Sequence, residues 1–276
     1  MKKWNLIVDV AKCHDCNNCF LACKDEYYEN DFPPFSLSQP RHGHRWIDIL
    51  RKERGQYPKV DVGFLPKPCM HCDDAPCIKA AKDGAVYKRE DGIVIIDPKK
   101  AKGQKDLLKA CPYEAIWWND EKNVPQKCTF CVHLLEEGWE KPRCVQACPT
   151  EALKVLYVED QEMQEIVSKE GLQVYKPEFH TRPRVYYKNL YRFTKCFIAG
   201  SVALQHIDEC AEGAKVTLYQ DSKQITETVT DNYGDFKFDD LEDNVQYSIE
   251  ISYPGYENKT VTVDLKDSMN IGTIFL

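Results

Sequence analysis

The sequence predicts an α+β protein in two parts, a metal-binding segment followed by a small all-β sandwich or barrel. Two observations carry that expectation. Twelve of the 14 cysteines lie between Cys13 and Cys148, Cys196 and Cys210 follow, and none occurs in the last 66 residues. From about Ser201 hydrophobicity alternates with a period of two, in the stretches 216–219, 236–238, 247–252 and 261–263, with turn-forming residues at 231–234 and 254–258 between them. Charge divides at the same place. Residues 201–276 hold 15 Asp plus Glu against 5 Lys and no Arg, so that of the net −7 the first 200 residues carry +3 and the remainder −10.

The cysteines fall into groups whose spacing is chemical information. Cys13-x2-Cys16-x2-Cys19-x3-Cys23 has the bacterial ferredoxin form, in which a triplet closes on one cube and the fourth cysteine reaches another cluster. Cys69-x2-Cys72-x4-Cys77 with a later Cys111-Pro112 is a looser version, and Cys128-x2-Cys131-x12-Cys144-x3-Cys148-Pro149 is a third. Proline after the last cysteine matches the ferredoxin signature at Cys111 and Cys148, whereas Lys24 follows Cys23. Paired C-x2-C units also build structural zinc sites, but zinc needs two pairs and here triplets recur with a remote fourth cysteine. His14, His71 and His133 stand between cluster cysteines; with twelve cysteines making three complete sets, they read as spacers and not as Rieske-like ligands.

In chain order, residues 4–10 read as a strand that leads into the first triplet, placing it on a loop, with Cys23 opening or sitting in a helix. Residues 24–68 contain no cysteine and are broken by Pro33, Pro34, Pro40, Gly43 and Gly55, so they read as an insertion in which His42, His44, Arg45 and Trp46 form a surface cluster or a partner contact. Residues 93–96 read as a strand and 159–170 as a helix stopped by Gly171. Proline and aromatics over 172–200 predict an ordered strap, and Cys196 and Cys210 read as buried free thiols. The expected domains are a cluster domain over 1–160 with its insertion at 24–68, a linker or strap over 161–200, and a β domain over 201–276.

Several function classes are set aside. The apolar run 6–10 contains Asp9 and is too short for a signal core, so the thiols are expected to be reduced, metal-bound and cytoplasmic. No stretch approaches the roughly 18 consecutive apolar residues of a membrane span. No basic stripe interleaved with aromatics points to nucleic acid. The β segment holds no catalytic constellation, and Asp231, Asp235, Asp239 and Asp240 lack EF-hand spacing.

Taken together, the cysteine groups resemble those of the iron-sulfur electron-transfer subunits of the molybdopterin-containing dimethyl sulfoxide reductase family, over about residues 5–160. The resemblance implies two ferredoxin-like halves in which the outer groups pair and the inner groups pair. It also implies four cysteines where Ala81, Ala101, Gln104 and Leu107 stand, all belonging to one cluster. Three 4Fe-4S clusters are then implied, held by Cys13, Cys16, Cys19 and Cys148; by Cys128, Cys131, Cys144 and Cys23; and by Cys69, Cys72, Cys77 and Cys111. The stretches His42–Trp46 and Arg184–Phe193 are similar to the branch of that family that moves hydroxyl groups between polyhydroxylated aromatics. That branch also has three cubanes and a C-terminal β domain, which looks transthyretin-like or Ig-like. The implied partner is a large catalytic subunit carrying molybdopterin guanine dinucleotide, with no direct membrane insertion and no nucleic acid. The alternatives are an electron-transfer subunit of an anaerobic reductase or aromatic dehydroxylase, and a zinc-bound interaction scaffold.

Overall fold

The computed structural model describes residues 1–207 and 209–276, and the chain divides into two compact units. The first comprises residues 1–50 and 64–190. Its largest sheet has three strands: Lys3–Asp9 lies in the centre, antiparallel to Leu153–Val158 and parallel to Val185–Lys188. Leu6, Ile7 and Val8 are all buried because the central strand is covered on both faces, which is why its alternation is weak in sequence. The predicted strap is thus partly a strand of this sheet.

Around the sheet the unit is assembled from short pieces. Helices run Asn18–Tyr27, Pro76–Ala80, Leu107–Ala110, Val132–Glu136, Arg143–Gln146 and Asp160–Glu170. Two three-residue ladders pair Val86–Lys88 with Val94–Ile96 and Trp117–Asn119 with Val124–Gln126. The helix predicted at 159–170 begins one residue later and ends where Gly171 takes the left-handed conformation at φ 63°. Its Met163 packs with Ile7, Leu172 and Tyr186.

The region 24–68 differs from the expectation. Where breakers argued against any long periodic element, two ten-residue strands, Ile47–Gln56 and Lys59–Pro68, pair as a hairpin. The charged run 51–54 masks the alternation, since one inward position is filled by Arg54 instead of an aliphatic residue.

The second unit comprises residues 51–63 and 191–276. Strand Cys196–Leu204 pairs with Glu209–Cys210, with Asp235–Leu241 and, in parallel, with Met269–Phe275. The other sheet has the order Lys223–Val229, Lys215–Gln220, Val245–Ser252, Lys259–Leu265, all antiparallel. Val216, Leu218, Phe236, Phe238, Tyr247, Ile249, Ile251 and Leu265 form one apolar core with Ile198 and Val202. At about 1.5–3 kcal/mol for each large buried side chain, this core is the main source of the unit's cohesion. Its first strand starts at Cys196, ahead of the expected Ser201, because residues 196–200 are buried throughout and show no period-two signal.

The acidic residues of this unit have structural tasks. Asp231 accepts hydrogen bonds from the amides of Tyr233 and Asp235, closing the turn that Gly234 completes at φ +75°; a Cβ there would lie 2.3 Å from the Val202 carbonyl oxygen. Asp239 pairs with Arg54 and Lys237. Cys196 is buried as expected, but Cys210 is exposed because it lies on a two-residue edge strand.

Candidate metal centre

The first C-x2-C loop of each group uses one backbone device. The residue just before the second cysteine takes positive φ: Asp15 at 56°, His71 at 45° and Phe130 at 60°. For histidine and phenylalanine this conformation is costly, and such strain is kept where the surroundings determine it. Successive backbone N-H groups at a left-handed turn form a concavity that suits anions. Consistent with this, the Phe130 amide donates to Cys128 Sγ at 3.4 Å, and the Ala115 amide does the same to Cys111 Sγ at 3.4 Å. Gln39 Nε2 donates to Cys23 Sγ at 3.7 Å. His71 is satisfied at one ring nitrogen only, and its buried Nε2 has no hydrogen-bond partner among the described residues. It is buried, its Nδ1 accepts from the Val94 amide at 3.1 Å, and its ring meets Phe130 edge-on. His133 bonds Glu26 through Nε2 at 2.9 Å.

The thiols converge in three places. Cys23, Cys128, Cys131 and Cys144 line one apolar cavity with Leu6, Tyr27, Trp46 and Phe130. Cys69, Cys72, Cys77 and Cys111 line a second with Met70, Val94, Tyr113 and Lys127. Cys13 lies within electrostatic reach of Cys16 and Cys148, and Cys19 of all three. Helix Asn18–Tyr27 carries Cys19 and Cys23 one turn apart, so one rigid element serves two groups. Cys144 and Cys148 repeat the arrangement at the helix Arg143–Gln146, which packs against the first. Cys69 is in turn an electrostatic neighbour of Cys128, and Cys19 of Cys144, so the Cys23 group adjoins both of the others.

The donor sets fit a group larger than one ion. Among the described residues, no three His, Cys, Asp or Glu side chains are placed to hold a single metal. Zinc draws thiolate sulfurs to about 2.3 Å from a common centre, whereas a cube spreads its four ligands over separate irons. Burial pushes the thiols of Cys19, Cys72 and Cys128 up to about 12, with neighbouring thiols adding to the rise, and those of Cys77 and Cys131 up to about 11. Loading such sites requires thiolates and therefore expels protons.

Sequence reasoning missed the supports. Trp46 and His44, read as surface residues, are buried; Trp46 walls the Cys23 cavity and His44 Nε2 meets the Trp118 carbonyl at 2.8 Å. Arg45 bonds the Asn17 side chain at 2.9 Å and lies over the Phe20 ring, holding the first cysteine loop. Buried Arg184 grips Asp73 with two hydrogen bonds of 2.8 Å, and its amide donates to the Met70 carbonyl, fixing the Cys69–Cys72 loop. Tyr113 bonds Thr181 at 2.8 Å beside Cys72. Where the family pattern has four further cysteines, Ala101 and Leu107 are buried and the Gln104 amide clasps the Lys82 backbone and the Lys100 carbonyl.

A two-part fold with cysteine triplets gathered on a ferredoxin-type scaffold defines an iron-sulfur electron-transfer protein. Residues 60–157 match the 4Fe-4S dicluster domain family, and residues 198–274 match the carboxypeptidase regulatory-like domain. The chain is 49% identical to the pyrogallol hydroxytransferase small subunit of Pelobacter acidigallici over the full length of both. It is 32% identical to a tetrathionate reductase subunit of Salmonella typhimurium, covering 68% of this chain and 73% of that one. A putative dimethyl sulfoxide reductase iron-sulfur subunit of Halobacterium salinarum is 30% identical over 68% of this chain and 80% of its own. The chain belongs to this family of iron-sulfur subunits, in the branch of the hydroxytransferase small subunit. Among the described residues, no helix is long and apolar enough to cross a membrane.

Proposed function

We propose that this chain holds three 4Fe-4S clusters in the cysteine sets Cys13/Cys16/Cys19/Cys148, Cys23/Cys128/Cys131/Cys144 and Cys69/Cys72/Cys77/Cys111. It serves a large molybdopterin guanine dinucleotide subunit that transfers hydroxyl groups between polyhydroxylated aromatics in the cytoplasm. Such clusters pass single electrons, at potentials set by charge, hydrogen bonds and exposure. The residues of this chain supply the thiolates, the N-H donors and the dry walls. The adjacency of the Cys23 group to both others supports a relay through it, with the exposed Cys16 on the side open to solvent or to a partner.

The observation that carries the transhydroxylase reading is the extent of the similarity. The likeness to the hydroxytransferase small subunit runs through the β-sandwich, whereas the reductase subunits match about two thirds of the chain. Hydroxyl transfer between aromatics involves no net redox change, so the relay would be needed only for priming.

Two measurements test the reading. Iron in the anaerobically purified complex should be about twelve atoms per chain; a value near sixteen, or zinc in its place, counts against the three sets. The complex should turn over a polyhydroxylated aromatic without a continuing electron donor. Strict dependence on a donor in every cycle would favour a reductase or dehydroxylase.

A further inference from the structure

Three cationic side chains other than histidine are buried among the described residues: Arg54, Lys127 and Arg184. Two of them have carboxylate partners. Arg54 pairs with Asp61 and Asp239, and Arg184 with Asp73 and Asp160. Lys127 is 2% exposed, and no described carboxylate lies within ion-pair distance of it. Its Nζ donates only to the carbonyl oxygens of Val94 and Cys128. A desolvated cation without a counter-charge is expensive, so one must be supplied.

Its position identifies the supplier. Lys127 forms part of the wall of the Cys69/Cys72/Cys77/Cys111 cavity and directly precedes Cys128 of the neighbouring set. Its charge is felt at Cys77, Cys111 and Cys128. The nearby Lys88, by contrast, is neutralised by Asp73 at 2.7 Å. The charges felt at Cys13 and Cys19 are those of Asp15 and of the other thiols of that set, and Lys127 is not among them.

We propose that Lys127 is a positioning residue whose ammonium is the shared buried counter-charge of two adjacent clusters, in the Cys69 and Cys128 sets, and raises the reduction potential of both. This inference rests on the ligand sets proposed above. Four thiolates outweigh the positive charge of the cube core, and reduction adds one more negative charge. A fixed cation beside the site therefore favours the reduced form, with little screening in a dry interior. The effect should be larger for the Cys69 set, whose cavity Lys127 lines. A purely structural role, tying the Val94 strand to the Cys128 loop, would leave the potentials alone.

The test is an EPR-monitored redox titration of the full complex as wild type, Lys127→Met and Lys127→Arg, with iron measured on each. In Lys127→Met the midpoints of two clusters should fall, one more than the other, while the third stays within error. Lys127→Arg should stay close to wild type in both iron and potentials. Loss of the Cys69-set cluster from Lys127→Met but not from Lys127→Arg would also support charge balance. A Lys127→Met protein with full iron and unmoved potentials overturns the proposal, as does equal loss of clusters from both variants. Wild-type iron is read first: fewer than three titrating clusters would remove the ligand sets themselves, a failure separate from that of Lys127.

Discussion

The two units solve the problem of cohesion in opposite ways. The sandwich closes a continuous apolar core between two four-stranded sheets. The cluster-bearing unit has helices of 4 to 11 residues and two ladders of three residues per strand, all below the size at which such elements are stable alone. Two cavities lined by thiols interrupt its interior. One unit is held by burial alone, whereas the other combines a buried sheet with loops whose thiols converge on common centres. Metal binding would then add to the folding free energy of the first unit.

Iron removal should separate the two units most sharply. Anaerobic chelation should abolish the protease resistance of residues 1–50 and 64–190 while a cooperative melt of the sandwich persists. Simultaneous loss of both transitions would show that the sandwich is not independent. Next in size, Cys111→Ser should lower iron from about twelve to about eight atoms per chain, leaving the EPR signals of the Cys13 and Cys23 sets. Retention of an intact third cluster would contradict the pairing of Cys111 with Cys69, Cys72 and Cys77.

The converse change belongs to the other unit. Ile249→Ala, at a fully buried centre of the sandwich, should cost about 2–5 kcal/mol in that unit's denaturation without bleaching the visible absorbance. A smaller effect concerns Asp61. Burial works against its charge, but Arg54, Lys237 and Arg192 outweigh this and hold its carboxyl at about 2. Stability from this group is fully present above the unfolded carboxylate value of about 3.9 and is lost as pH falls through about 2. Melts of the sandwich between pH 4 and 2 should therefore fall less steeply in Asp61→Asn than in wild type. Equal slopes would mean that the cluster of charges around Arg54 does not depend on Asp61.

Legibility also differed between the units. The period-two signal announced strands 215–220, 235–241, 245–252 and 259–265, because one face of each meets a core and the other meets water. It missed strand 196–204, buried on nearly every residue, and the hairpin 47–68, where Arg54 occupies an inward position. In the first unit spacing singled out the thiols that the structure brings together, since ligands of one group must converge whatever the intervening sequence does. It could not identify Trp46, Arg184 or Lys127, whose distances from the cysteines exist only after folding.

The sequence by itself determined the two-part architecture, the cysteine groups and, through its likeness to known families, the kind of subunit this is. Those properties are written in local spacing, composition and alternation. Only the tertiary structure decided that the Cys23 group adjoins both of the others, and that a lysine without a carboxylate partner lies beside two of the groups. Each of these depends on residues far apart in the chain being brought together. Cys23 meets Cys144 because helix Asn18–Tyr27 packs beside helix Arg143–Gln146, and Lys127 is enclosed because the Val94 strand covers it.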